Sequence, residues 1–327
     1  MKNETKRKCE LLMENRDAVK KVFAWEGGLV QLACAGIFTV KGKRAEEISL
    51  SDCRELLKQK VGMFSNFRSQ AMPEIISLLA VSGNPEQVLE RGLEVYELLK
   101  KEFSGSMYLP LAAMVIAQLV KPHQYEEIAQ KTRRIYKKMQ KLHPFLTSAE
   151  DSAFCALLAV SEMEEESLIA ECENCYQILK PEFFSANAVW SLSQVLALFG
   201  GTAEEKCAKT MELFDGLKAA GCRYGTDYEL PTLGVLAMNI PSTQEIVKEM
   251  KETDEWLSKQ KGFGMFGSVS RKQRLMYAGL LLQPESAAKT LQTAAIQSTI
   301  AVIVAEETAM MAAVAASTAA AASAAND

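Results

Sequence analysis

The chain has 327 residues, of which 48% are hydrophobic and 24% are charged, and its formal net charge is −4. This balance is that of a folded globular protein, and the slight acidity argues against a nucleic-acid partner, which normally meets a basic surface. Because one compact core rarely grows beyond about 250–300 residues, the length favours two domains or a quasi-linear array.

The first segment predicts an amphipathic helix from about Lys6 to Phe23, followed by two helices that form a degenerate hairpin around Ala35. Residues 1–62 are therefore predicted to be an N-terminal cap helix and a degenerate repeat. The charged N-terminus lacks the apolar run of a secretory signal, so we expect a cytoplasmic protein.

Two series of short motifs recur along residues 63–282 at one spacing. The members of the first are 37 to 42 residues apart, with central alanines at Ala80, Ala117, Ala159, Ala197, Ala237 and Ala278. The second series follows each centre by 16 to 19 residues, at Tyr96, Tyr136, Tyr176, Phe214 and Trp256. Two interleaved series with one period indicate a structural repeat.

Each repeat predicts a helical hairpin with a short apolar first helix and a longer amphipathic second helix. Start signals for the second helix are Asn84 and the capping-box patterns Thr202-x-x-Glu205 and Ser242-x-x-Glu245. A hairpin of this length cannot bury its own apolar face, so neighbouring hairpins must stack on it. The sequence therefore predicts one all-α domain over residues 1–327, an α-solenoid of about 40-residue helical-hairpin repeats with an atypical capping unit at each end.

The Ala-rich segment 283–327 is predicted to be a C-terminal helix with a frayed end. Its larger apolar residues recur at three- and four-residue steps, and Glu306 and Glu307 lie among them. That pattern is typical of an amphipathic helix rather than a membrane span, so we expect no membrane insertion.

Four longer motifs within the array are "FSNFRS", "SMYLPLAAMVIA", "HPFLTSAEDSAFCALLA" and "SANAVWSLSQVLALFG". Together they resemble the uncharacterised bacterial domain-of-unknown-function family 4003, from about residue 5 to the Ala-rich tail. The resemblance implies a bacterial cytosolic helical protein and implies no activity.

Three motifs suggest chemistry but have structural explanations. "GFGMFG", from Gly262 to Gly267, fits a dinucleotide fingerprint but lies between two helices rather than after a strand, so it predicts a loop. Cys172 and Cys175 form a single C-x-x-C, and the repeat places Cys175 at a core position, so we expect buried, reduced thiols.

The third motif that suggests chemistry is a basic run between Lys131 and Lys141, which could be an RNA or phosphate site. The second helix of the following repeat holds six glutamates between Glu162 and Glu173. Because these helices should be neighbours, we expect the opposite charges to pair. The sequence therefore predicts no metal and no cofactor.

One edge of the array collects acidic, aromatic and polar residues, eight or nine residues before the central alanines or close to that position. We take them as the candidate ligand-binding residues, and they are Arg68, Tyr108, Glu150, Asp151, Asn187, Trp190, Tyr228 and Glu229. Such a mixture suits a ligand groove. The alternative is that Thr147-x-x-Glu150 and Thr226-x-x-Glu229 are capping boxes, with Ser148 as a second possible cap for Asp151.

The leading functional hypothesis is an interaction module whose concave groove binds a protein, a peptide or a small ligand. A protein or peptide partner is the favoured occupant. The alternative is an enzyme of unknown class with a pocket in that groove, and a third hypothesis is a self-assembling structural subunit. The sequence leaves the oligomeric state and the identity of any ligand open.

Overall fold

The computed structural model describes residues 1–103, 105–263 and 269–282. Within these ranges the chain forms α-helices and two short 3-10 turns, at Asn66–Arg68 and Pro122–Gln124, and no β-strand. The predicted all-α class is confirmed. The helices are α1 (Asn3–Val22), α2 (Gly28–Val40), α3 (Glu47–Lys60), α4 (Met72–Ala80), α5 (Pro85–Glu102), α6 (Leu109–Leu119), α7 (Tyr125–Leu142), α8 (Asp151–Ala159), α9 (Glu165–Leu179), α10 (Ala186–Leu196), α11 (Ala203–Ala219), α12 (Leu230–Asn239), α13 (Thr243–Ser258) and α14 (Arg271–Leu281).

Odd- and even-numbered helices differ in burial because their sequences differ. The even helix α6 is apolar, and all its residues from Leu109 to Ala117 are buried. The odd helix α7 buries one face only, at Tyr125, Ala129, Thr132, Ile135 and Met139. This three- and four-residue spacing is that of an amphipathic helix. The even helices therefore form an inner layer and the odd helices an outer layer.

Contacts between helices follow the order of the chain in both layers. Each outer helix contacts the next one, from α1 through to α13. In the inner layer α2 contacts α4, and α6, α8, α10, α12 and α14 contact one another in succession. Each hairpin therefore packs against the hairpins before and after it.

The first hairpin also packs against the last described helices. Helix α1 contacts α13 and α14, and α2 contacts α14. Thr5 donates from Oγ1 to Glu249 at 2.5 Å, and Arg16 donates to the backbone carbonyl of Lys261 at 2.6 Å. The sequence did not predict these contacts between the first hairpin and the last described helices. The predicted C-terminal cap, residues 283–327, lies outside the described residues.

Both sequence series mark equivalent places in successive hairpins. All six central alanines lie in the last turn of an inner helix or directly after it, Ala80 and Ala159 being the last residues of α4 and α8. The second series lies in the C-terminal half of α5, α7, α9, α11 and α13. The members of each series therefore lie at corresponding places in their helices.

The predicted helix starts have mixed outcomes. The Asn84 side chain accepts from Gln87 N at 3.2 Å, and Thr202 and Glu205 form a reciprocal capping box at 3.1 and 3.3 Å. Ser242 precedes α13 as predicted, but its side chain makes no capping hydrogen bond.

The cysteines and small residues pack as the repeat predicted. All eight cysteines are buried, and they form no disulfide. A β-carbon on Gly92, the position that aligns with Cys172, would lie 2.6 Å from Sδ of Met114. A larger residue would therefore require the Met114 side chain to move where the outer helix meets this inner helix.

The expected pairing of the basic run with the glutamates of the next repeat is confirmed. Arg134 and Lys138 of α7 form ion pairs with Glu165 of α9 at 2.6 and 3.1 Å, and Lys138 also reaches Glu166 at 2.6 Å. These charges connect two neighbouring outer helices.

Two predictions lie outside the described residues: the tail helix over 283–327 and most of the "GFGMFG" loop. Its first glycine, Gly262, follows α13 in a turn with φ of 90°. Among the helices that the structure describes, none is both long and apolar enough to cross a membrane.

Candidate functional site

The candidate residues lie where the chain passes from an outer helix to the following inner helix. These connections meet one another: Asn66 Nδ2 donates to the carbonyl of Ser106 at 3.0 Å, and Lys272 donates to Thr226 Oγ1 at 2.6 Å. Because they are neighbours, they form one end of the molecule, which we call the inner N-terminal end. The opposite end, where the outer helices begin, we call the outer N-terminal end.

Asp151, the first residue of α8, is an almost completely enclosed acid at the inner N-terminal end, with 1% of its surface exposed. Its Oδ1 accepts a hydrogen bond from Nε2 of Gln194 on α10 at 2.5 Å. Its Oδ2 accepts from the backbone amide of Ser148 at 2.8 Å. The carboxyl group is therefore fixed by one bond from its own connection and one from the neighbouring inner helix.

Burial and, to a smaller extent, the negative charge of Glu150 raise the pKa of Asp151 to about 7, whereas the hydrogen bonds from Gln194 and Ser148 act in the opposite direction. Desolvation dominates because a charge is costly to remove from water. Asp151 therefore changes its charge close to neutral pH, which an ordinary aspartate does not.

Glu150 and Asn187 join α8 to α10 at the same place. Asn187 is half-buried and donates from Nδ2 to Oε1 of Glu150 at 3.5 Å, a long hydrogen bond. The pKa of Tyr136 on α7 is raised mainly by burial and next by the charge of Asp151, since Tyr136 lies near the two acids. Three helices thus contribute polar groups to one cluster, which we call the Asp151 cluster: Tyr136, Glu150, Asp151, Asn187 and Gln194.

Trp190 lies one turn after Asn187 on α10 and is fully buried. Its ring packs against His143 at a centroid distance of 4.6 Å and against Tyr176 at 5.6 Å. Two polar atoms on α10, Nε1 of Trp190 and Oε1 of Gln194, are buried and have no hydrogen-bond partner within the described part of the chain. Such atoms are rare in folded proteins and are candidates to meet a ligand or water.

The other four predicted residues lie farther round the same end. Arg68 ends the 3-10 turn before α4. The pKa of Glu55 on α3 is lowered mainly by the hydrogen bond and the charge of Lys58, and to a smaller extent by the charge of Arg68. Tyr108 precedes α6 and is buried. Tyr228 and Glu229 precede α12. Among the candidate residues, hydrogen bonds between helices therefore involve Glu150, which bonds to Asn187, and Asp151, which bonds to Gln194. Arg68 lies toward the outer layer.

The predicted capping boxes are only partly present. The hydroxyl of Thr147 is buried and makes no hydrogen bond to a described residue, so the Thr147-x-x-Glu150 box is wrong. Asp151 takes that role instead by accepting from the amide of Ser148, which was the second register considered. Glu229 accepts from the amide of Thr226 at 3.3 Å, which is one half of the other box.

The buried polar side chains that the sequence reasoning missed include Gln194 and Glu74. Glu74 lies in the first turn of α4 with 1% of its surface exposed. The pKa of Tyr277 on α14 is raised mainly by burial and also by the charges of Cys34 and Glu74, which places these groups near one another. A polar residue within a strongly apolar helix was the available signal in both cases.

Metal binding has no support in the described residues, where no group of three or more His, Cys, Asp or Glu side chains is placed to hold an ion. Within the same ranges, Glu150 and Asp151 therefore form a pair of acids without the third ligand that a protein metal site needs.

Comparison with known proteins gives a family and no activity. The family described as "Protein of unknown function (DUF4003)" matches residues 15–309. The chain is similar to the "Uncharacterized protein YeaA" of Bacillus subtilis (strain 168), with 24% identity over 267 residues that cover 76% of this chain and 80% of the relative. No solved structure matches the chain significantly. Since the family match spans most of the sequence, this chain belongs to the DUF4003 family.

Proposed function

We propose that this protein binds a small polar ligand, or the polar end of a peptide, at the Asp151 cluster. The observation that supports this most is the buried Asp151, whose pKa is raised to about 7. Strongly shifted ionisable groups concentrate at functional sites. The neighbouring buried atoms without partners, on Gln194 and Trp190, are groups that a ligand would satisfy.

The chemistry of the cluster selects among ligands. Glu150 and Asp151 repel anions, and Asp151 accepts hydrogen bonds when ionised and donates one when protonated. The Gln194 carbonyl accepts and the Trp190 indole donates. These groups favour a neutral or cationic molecule that carries hydroxyl or amino groups.

We propose that the hairpins around this cluster form a repeat array, as in a solenoid, and that the first hairpin of this array packs against its last described helices. The contacts of α1 with α13 and α14 support it. An array joined in this way offers the ends of its inner helices rather than a long open groove. It therefore suits a compact ligand or a chain terminus better than an extended peptide along a concave face.

A thermal-shift screen tests this function. Neutral and cationic polyols, amines, amino acids and short peptides are tested with the wild type, Asp151→Asn and Asn187→Ala. Asn239→Ala is the matched control, since Asn239 is also half-buried but ends α12 and donates within its own helix, to Val235 O. We expect a ligand that raises the melting temperature of the wild type and the control but not of the two cluster variants. Equal responses by all four proteins, or none from any compound, contradict the proposal.

An enzyme remains the second candidate, because a carboxyl group with a pKa near 7 suits general acid–base catalysis at neutral pH. For any ligand found in the screen, Asp151→Asn keeps the shape of the site and removes proton transfer. Binding that persists while chemical conversion is lost favours catalysis. Loss of binding without any conversion by the wild type favours the binding module.

We also propose a cytoplasmic location, which the eight buried cysteines without a disulfide support. We propose a protein partner only in the sense of a protein whose chain terminus binds at the Asp151 cluster.

A further inference from the structure

Arg133 of α7 is a half-buried cation beside the Asp151 cluster. Its guanidinium carbon lies 4.9 Å from the ring centre of Phe103 and 5.6 Å from that of Tyr136, a member of the cluster. Phe103 directly follows α5 and packs edge-on against Tyr136 at a centroid distance of 5.2 Å. Because Phe103 lies where the chain passes from an outer to an inner helix, the Arg133 guanidinium reaches the inner N-terminal end.

The charge of Arg133 is not neutralised by the part of the chain that the structure describes. Among those residues it has no ion-pair partner, and its Nε is buried without a hydrogen-bond partner. The next residue, Arg134, differs in this respect, since it pairs with Glu165 at 2.6 Å. A guanidinium stays charged in proteins, and removing it from water without a partner is costly. An anionic group of a ligand would therefore bind favourably at Arg133.

The two acids of the cluster lie near the same tyrosine as Arg133. The pKa of Tyr136 is raised mainly by burial, next by Asp151 and also by Glu150, whereas Arg133 acts in the opposite direction. Tyr136 is thus close to charges of both signs. Arg133 nevertheless forms no ion pair with either acid, and Asp151 accepts instead from Gln194 at 2.5 Å. Opposite charges therefore lie near one another here without pairing.

Other hairpins show that packing does not require an arginine at this position. Arg133 lies three residues before Tyr136 in the second sequence series. The corresponding residues of the other hairpins are Leu93, Glu173, Met211 and Thr253. Glu173, the other charged residue of this set, is paired with His143 at 2.6 Å. Since leucine or methionine fills the same place elsewhere, the charge of Arg133 favours a functional role.

We propose that the ligand of the Asp151 cluster is a free amino acid, whose carboxylate binds Arg133 and whose ammonium group binds Glu150 and Asp151. This inference rests on the ligand site proposed above and narrows its ligand to a zwitterion. A charge-assisted hydrogen bond spans about 2.8 Å, so a molecule with both charges close together can connect groups that do not pair directly. A guanidinium held against aromatic rings suits a carboxylate, which it binds through two parallel hydrogen bonds.

The combination of charges selects against other ligands. An amine without a carboxylate would leave Arg133 without a partner. A carboxylic acid without an amino group would be repelled by Glu150 and Asp151. The N-terminus of a peptide carries the ammonium group, but the carbonyl beside it is an uncharged amide. A free amino acid satisfies both the arginine and the acids.

Isothermal titration calorimetry with the purified full-length chain tests the proposal. The probes are the twenty standard amino acids and, for each one that binds, its amide, its decarboxylated amine and its deaminated acid. We expect at least one amino acid to bind. Its amide and its amine should bind about 10- to 100-fold more weakly, which corresponds to the loss of one hydrogen-bonded charge pair. The deaminated acid should also bind more weakly than the amino acid.

Three variants locate the carboxylate. Arg133→Leu introduces the side chain that Leu93 has at this position, so the fold should be kept. It should weaken binding of the amino acid about 10- to 100-fold and leave binding of the amide unchanged. Arg133→Lys keeps the charge but loses the paired donors, so its affinity should lie between the two. Arg134→Leu is the control, because it removes only an exposed ion pair and should bind like the wild type.

Thermal melting of each variant, followed by circular dichroism, checks that it is folded. Equal affinity for an amino acid and its amide overturns the proposal and favours a peptide N-terminus. Equal losses of both in Arg133→Leu also overturn it, because Arg133 then supports the fold rather than the carboxylate. Amines or polyols that bind the wild type and Arg133→Leu alike, but not Asp151→Asn, overturn the zwitterion and leave the Asp151 site standing. If no compound of either screen binds, both proposals fail.

Discussion

Gln194 Nε2 lies 2.5 Å from Asp151 Oδ1, so a side chain of α10 holds the acid that begins α8. This contact fixes the register of two neighbouring inner helices at a buried position. It also stabilises the ionised carboxylate, although burial outweighs it and the pKa of Asp151 still rises to about 7. The same bond is therefore part of the fold and part of the candidate site.

The raised pKa of Asp151 predicts a specific pH dependence of stability. The folded protein holds this proton up to about pH 7, whereas the ordinary value is 3.8. Between those values the folded state binds the proton more tightly than the unfolded chain, so the free energy of unfolding falls as pH rises from about 4 to 7, by up to about 4 kcal/mol.

Asp151→Asn should remove this decline, because asparagine resembles the protonated acid. Urea unfolding at several pH values measures it, with Asp215→Asn on the exposed face of α11 as control. If the wild type and Asp151→Asn show the same pH dependence, the carboxyl group is not held as described.

Gly234 of α12 predicts a packing effect. A β-carbon there would collide with Cδ1 of Leu192 on α10 and lie 3.2 Å from Cδ2 of Leu196. Gly234→Ala should therefore lower the free energy of unfolding by about 1–3 kcal/mol, despite the higher helix propensity of alanine. Gly83→Ala is the control, since a β-carbon there meets nothing within 4 Å. A neutral or stabilising effect of Gly234→Ala would show that the two inner helices are less closely packed.

The contact between the two ends of the array predicts an effect on α1. Glu249 of α13 accepts hydrogen bonds from Thr5 at 2.5 Å and from the backbone amide of Lys2 at 3.1 Å. Glu249→Ala leaves these donors without a partner and should cost about 1–3 kcal/mol.

Hydrogen exchange should then show reduced protection of α1 before other helices. Glu245→Ala, which removes an exposed partner of Lys2, should have little effect. Unchanged protection of α1 in Glu249→Ala would contradict the joining of the two ends.

The burial of the cysteines predicts low thiol reactivity. Burial raises the pKa of Cys9 to about 12 and also raises that of Cys172, whereas a hydrogen bond from Cys207 lowers the pKa of Cys175. All these thiols are buried, so a reagent reaches them slowly. A colourimetric disulfide reagent should react slowly with the native protein and with all eight thiols after denaturation. Rapid reaction of two thiols without denaturation would instead indicate an accessible pair such as Cys172 and Cys175.

The sequence predicted the succession of helices in this fold because each helix depends on the spacing of its own apolar residues. The alternation of apolar and amphipathic helices follows from residue spacing, and the central alanines mark it correctly. The meeting of the two ends depends on pairs such as Thr5 and Glu249, which are separated by 244 residues and share no local pattern.

The sequence likewise predicted only some residues of the candidate site. Glu150 and Asp151 lie nine and eight residues before Ala159, Asn187 lies ten residues before Ala197, and the structure brings Asn187 to Glu150. Gln194 was missed because its role depends on how far α10 is displaced along α8, which no spacing within either helix reveals. Arg68 lies twelve residues before Ala80, in the 3-10 turn that precedes α4, and it lies near Glu55 instead.

The titration of Asp151 tests the central claim most directly. Carbon-13 NMR of the aspartate side-chain carboxyls, assigned by comparison with Asp151→Asn, follows the charge of this group through the pH range. A midpoint near 7 is expected if Asp151 is a buried acid of a polar site. A midpoint near 4 would mean an ordinary, solvated helix cap and would contradict the proposed function.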